Sequence, residues 1–108
     1  MTDSDTALRH IQTQVIEGKI RITQHAQQEM TEENIALGEV CEAIANGEIL
    51  ESYPYHRRGA CCLLNGYTAN KRFLHIVCAT RQPVVIIITT YEPKPPKWVT
   101  PTQRGDKK

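Results

Sequence analysis

Residues 45–54 read Ala45-Asn46-Gly47-Glu48-Ile49-Leu50-Glu51-Ser52-Tyr53-Pro54, and the hydrophobic period of the chain changes across them. Upstream, Leu37, Val40 and Ile44 recur at spacings of three and four and mark the inner face of a helix over 37–45. Asn46-Gly47 supplies a helix stop, because these residues tolerate the left-handed backbone that ends helices. Downstream, Glu48 to Tyr53 reads as a strand, halted by Pro54. The fold is therefore expected to place helices before this stretch and strands after it.

Working outward, Leu8, Ile11 and Val15 form an amphipathic stripe that Gly18 ends. Lys19 to Ile22 reads as a short extended connector, with Ile20 and Ile22 on one side. Thr23 is a good N-cap for a second helix over 24–33, and Asn34 breaks it. Beyond Pro54, YHRRG over 55–59 is a basic loop. Residues 60–68 and 72–80 are strands joined by a tight turn at Ala69-Asn70-Lys71. Val84 to Tyr91 is a β-branched run without alternation, which suggests a central strand covered on both faces. Prolines 93, 95 and 96 forbid regular structure, and Trp98 is expected to fold back on the domain. The expected class is α+β, with three N-terminal helices packed on one face of a four-stranded antiparallel sheet. A single domain is expected over 1–98, with 99–108 a charged, disordered tail. Val40, Ile44, Leu74, Ile76, Ile86 and Ile88 are its expected core.

The chain of 108 residues has room for one modest core. It has no apolar run near the roughly 20 residues that span a bilayer. With a polar, acidic N-terminus, a cytoplasmic location away from membranes is expected. Cys41, Cys61, Cys62 and Cys78 are read as reduced and mostly buried. They show no CxxC or HxxxH spacing, so neither a metal site nor a cofactor is expected. Charge is split along the chain. Residues 1–55 carry three basic and ten acidic side chains, and 56–108 carry ten basic and two acidic. A basic side could meet RNA, DNA or an acidic protein, or simply attract the acidic half.

Histidine titrates near neutrality and serves in either direction of proton transfer. His25 stands one turn ahead of Glu29, which could fix it through the i,i+4 relation. His75 lies in a strand, and Thr89 and Tyr91 end the last one, where they could donate hydrogen bonds to phosphate. Arg58, Lys71 and Arg72, with Arg57, could hold phosphate. Each also has a structural reading: His25 covering Ile22, His75 at a core edge, Tyr91 packing on Trp98, the arginines in solvated turns.

HAQQEM at 25–30, EVCEAIANGEILESYP at 39–54, LLNG at 63–66, LHIV at 74–77 and IITTYEPKPPKW at 87–98 resemble a bacterial domain-of-unknown-function family. That family resembles RelE-like and barnase-like toxin folds. The resemblance implies a metal-independent endoribonuclease of a toxin-antitoxin pair, with RNA as substrate and a zinc-finger-type antitoxin protein as partner. His25 and His75 fall in motif positions. Many members of the family it resembles carry arginine where this chain has Glu29, and a glutamate cannot grip phosphate. The alternative is a non-catalytic protein-binding module of the same fold.

Overall fold

The computed structural model describes residues 3–56, 59–81 and 83–105. Helix α1 (Asp3–Ile16) leads into β1 (Ile20–Ile22), followed by α2 (Gln24–Glu33) and α3 (Leu37–Ala45). Four longer strands follow: β2 (Glu48–Tyr53), β3 (Cys61–Tyr67), β4 (Phe73–Arg81) and β5 (Val84–Tyr91). The short pair β6 (Trp98–Thr100) and β7 (Gln103–Arg104) completes the order.

The main sheet has five strands in the order β1-β5-β4-β3-β2, not four. It is also mixed rather than antiparallel. The segment read as a connector is an edge strand parallel to β5, pairing Ile20 with Val85 and Ile22 with Ile87. Three residues give too short a pattern to announce a strand, and the partner lies far along the chain. β2, β3, β4 and β5 pair antiparallel in sequence order, as their short connections require. The segment expected as a tail carries regular structure over part of its length. Residues 98–104 form a second, two-stranded sheet, whose first strand begins at buried Trp98. Burying that indole offsets the cost of ordering the segment. Residues 106–108 lie outside the described residues.

One core joins the helices to one face of the sheet. Ile11, Ala26, Met30, Val40, Ala43 and Ile44 meet Cys62, Leu64, Leu74, Ile76, Cys78, Val85 and Ile87. Of the expected core, Val40, Ile44, Leu74 and Ile76 are buried, while Ile86 and Ile88 are only half-buried. β5 alternates, and Val85 and Ile87 take the inward positions. Its register slips against β4 between Val77 and Cys78, leaving Ile88 unpaired opposite that strand. α3 approaches β3 so closely that a Cβ on Gly66 would sit 1.8 Å from the Ala43 carbonyl oxygen.

Thr23 fixes α2. Its hydroxyl oxygen accepts from the Ala26 N–H at 3.1 Å and its proton goes to the Ile88 carbonyl at 3.0 Å. One side chain thus caps the helix and ties it to β5.

Candidate functional site

β1 stops at Ile22, so the outer edge of β5 beyond that point would be left unpaired. α2 lies along it. Glu29 accepts from the Thr90 N–H at 3.0 Å, and Glu33 accepts from the Glu92 N–H at 2.9 Å. The two glutamates are one helical i,i+4 step apart, about 6 Å. Thr90 and Glu92 are two strand residues apart, about 6.7 Å. The match lets two carboxylates stand where a neighbouring strand's carbonyls would be.

The same junction walls a cleft of about 520 Å³. Its lining includes His25, Glu29 and Glu33 from α2, Val77 from β4, Thr89 and Tyr91 from β5, and Tyr53 from β2. Glu92, Lys94, Lys97, Trp98 and Arg104 complete it from the C-terminal segment. Three carboxylates and three cations therefore face the cleft, with His25 as a titratable addition. Most of these charges are committed. Glu92 pairs with Arg72 and Lys94. Arg104 makes a two-pronged contact with Glu51 at 2.6 and 2.7 Å and lies over the Trp98 ring. That contact, with the Tyr53 hydroxyl donating to the same carboxylate, holds Glu51 down at about 2. Burial first, and Glu51 second, push Tyr53 up to about 12. Among the described residues Lys97 forms no ion pair; its ammonium lies 5.8 Å from the Tyr91 ring centre.

His25 projects from the first turn of α2 with its side chain 68% exposed, and Nε2 lies 3.5 Å from Glu29 Oε1. His75 is its opposite. It is fully buried on the far face of the sheet, between the edges of Tyr91 and Trp98. Its Nε2 lies 2.7 Å from the Pro101 carbonyl oxygen, and its Nδ1 lies 3.3 Å from the Tyr91 hydroxyl. A carbonyl only accepts, so Nε2 carries the proton and Nδ1 accepts from Tyr91. Burial lowers the His75 pKa; the Pro101 carbonyl and Glu51 oppose this. Burial likewise raises the Tyr91 phenol.

The sequence-derived candidates separate into groups. His25, Glu29, Thr89 and Tyr91 share the cleft, and His75 sits behind it on Tyr91. Thr89 donates its hydroxyl proton to Glu29. Arg72 is not among the lining residues. It holds Glu92 and Glu39 and donates to the Glu33 and Asn34 carbonyls, capping the end of α2. Lys71 occupies a turn at φ 68°, exposed and away from the lining. Arg58, and Arg57 beside it, lie outside the described residues. Lys94, Lys97, Arg104 and Tyr53 were not singled out by sequence reasoning. The lysines sit in a proline-rich stretch without periodicity, and Arg104 reaches the cleft only through the β6–β7 turn. Among the described residues, no three His, Cys, Asp or Glu side chains cluster to hold a metal ion.

No curated protein and no solved structure matches the chain. A family model described as a domain of unknown function, DUF4258, matches residues 22–92, from the end of β1 to the residue after β5. That span carries α2, the whole of β5 and the His25, Glu29, His75 and Tyr91 positions, and the chain belongs to this family.

Proposed function

We propose that the cleft is a metal-independent ribonuclease site acting on single-stranded RNA in the cytoplasm. One observation carries the reading: an exposed imidazole, His25, and a phenol, Tyr91, line the same cleft as an ammonium, Lys97, that no carboxylate among the described residues neutralises. Cleavage by the neighbouring 2′-hydroxyl needs a group to remove its proton and an acid to protonate the leaving 5′-oxygen. It also needs a cation for the phosphate. His25 is placed for the acid role because its side chain is exposed to the cleft and to solvent, with Glu29 3.5 Å away to orient the ring. Lys97 is the phosphate contact, with Lys94 beside it. The resemblance to RelE-like toxins accords with this reading. A zinc-finger-type antitoxin protein would then act by covering the cleft. One feature favours the alternative of a non-catalytic protein-binding module: Glu29, Glu33 and Glu92 also face the cleft and weaken its hold on a polyanion.

Incubation of the pure protein with single-stranded RNA in EDTA separates the two. Cleavage is expected, and His25→Ala should slow it by roughly 10²–10⁴-fold, the scale of one general acid. Lys97→Ala should weaken binding and reduce its salt dependence by about one phosphate contact. Intact RNA, or a His25→Ala variant that cuts at the parent rate, would refute the ribonuclease reading.

A further inference from the structure

Tyr91 has one proton, and the structure fixes where it goes. The Pro101 carbonyl holds His75 Nε2–H at 2.7 Å, so Nδ1, 3.3 Å from the phenol, offers only a lone pair. Tyr91 donates inward, and its oxygen presents lone pairs to the cleft. The Trp98 indole Nε1–H, on the ring that packs against His75, is buried and has no acceptor among the described residues. A buried donor without a partner is costly unless charge develops beside it.

We infer that Tyr91 is a proton relay with His75 as the buried acceptor behind it, so that the cleft selects a substrate whose reacting group is a hydroxyl with a proton to give, the ribose 2′-hydroxyl. The inference rests on the ribonuclease reading for the identity of the substrate. The 2′-hydroxyl proton passes to the Tyr91 oxygen as the phenol proton passes to His75 Nδ1. The 2′-oxygen forms its bond to phosphorus, the bond from phosphorus to the 5′-oxygen breaks, and His25 protonates that oxygen. The products are a 2′,3′-cyclic phosphate and a 5′-hydroxyl. His75, now an imidazolium, returns its proton through Tyr91 to solvent. The Pro101 carbonyl and Glu51 favour that imidazolium, while burial, Arg104 and Lys97 oppose it, so it is transient. Tyr91 and His25 are the catalytic residues; His75 touches no substrate and is a positioning residue.

The test uses the full chain and two probes, a ribonucleoside 3′-monophosphate and its 2′-deoxy counterpart. The parent should bind the ribonucleotide roughly two- to tenfold more tightly, the worth of one ordinary hydrogen bond. Tyr91→Phe, which keeps the ring, should remove that preference. Nitrogen NMR of the ring should find His75 protonated at Nε2, with Nδ1 moving on ribonucleotide binding and not on deoxynucleotide binding. Equal affinities, a preference that survives in Tyr91→Phe, or a proton on Nδ1 would overturn the relay. The outcomes also separate the two readings. A Tyr91-dependent ribose preference with RNA left intact in EDTA removes cleavage and keeps the relay. Cut RNA without that preference keeps cleavage and removes the relay.

Discussion

His25 and His75 share a side chain and differ in everything that governs its proton. His25 is exposed, with Glu29 3.5 Å from its ring. His75 is enclosed, and charging it in place costs desolvation. Its folded pKa lies below the unfolded value of 6.5, so the unfolded chain binds the proton more readily between the two. Stability should therefore rise with pH up to about 6.5 and fall as the solution is acidified below it. Urea melts at pH 5 and pH 7 should show this slope, and His75→Asn, which cannot titrate, should flatten it. Glu51 gives a second, separate window. Its pKa is depressed to about 2 from 4.5, so its contribution is present above 4.5 and disappears as pH falls toward 2. The pair is partly exposed, so the loss should be under about 1 kcal/mol. Arg104→Gln should abolish it, and an unchanged acid melt would remove the pair from the stability account. At this scale the chain is partly legible in sequence. The proton-bearing residues can be picked by type. That Arg72 caps a helix rather than facing the cleft depends on packing between elements 38 residues and more apart, which no local pattern encodes.

Between elements, the informative junction is α2 against β5. Glu29→Ala would leave the Thr90 N–H without its acceptor, at a cost of about 1–3 kcal/mol. Glu29→Gln keeps an accepting oxygen and should cost less than half as much. Equal costs in the two variants would mean that charge, not the edge hydrogen bond, is what Glu29 supplies. The inward positions of β5 give a paired test. Ile87→Ala should cost about 2–5 kcal/mol, and Ile88→Ala distinctly less, because only Ile87 lies in the closed core. The reverse order on denaturant melting would place Ile88 in the core after all. The run Val84 to Thr90 is β-branched throughout, so its composition does not distinguish the two faces. The register slip beside Ile88 decides them. The helices and the four antiparallel strands β2 to β5 were readable because caps, glycines, prolines and turns mark their ends. β1 was not, since three residues acquire a strand's identity only from their partner.

At the scale of the whole molecule, the helices close one face of the sheet and the C-terminal segment closes part of the other. Trp98, the Pro101 carbonyl and Arg104 meet His75 and Glu51 there, and the cleft opens at their margin with α2. Charge composition suggested a tail after residue 98 because it records polarity and not the one indole that anchors the segment. Truncation after Trp98 should therefore lower the melting temperature and free both His75 and Tyr91 from their fixed proton arrangement. The central claim is that this margin is where RNA is cut. It is tested most directly by reading the ends of single-stranded RNA incubated with the pure chain in EDTA. The account predicts 2′,3′-cyclic phosphate and 5′-hydroxyl ends, formed by the parent and roughly 10²-fold or more slower with His25→Ala. RNA that remains intact, or ends that form equally in the variant, would contradict it.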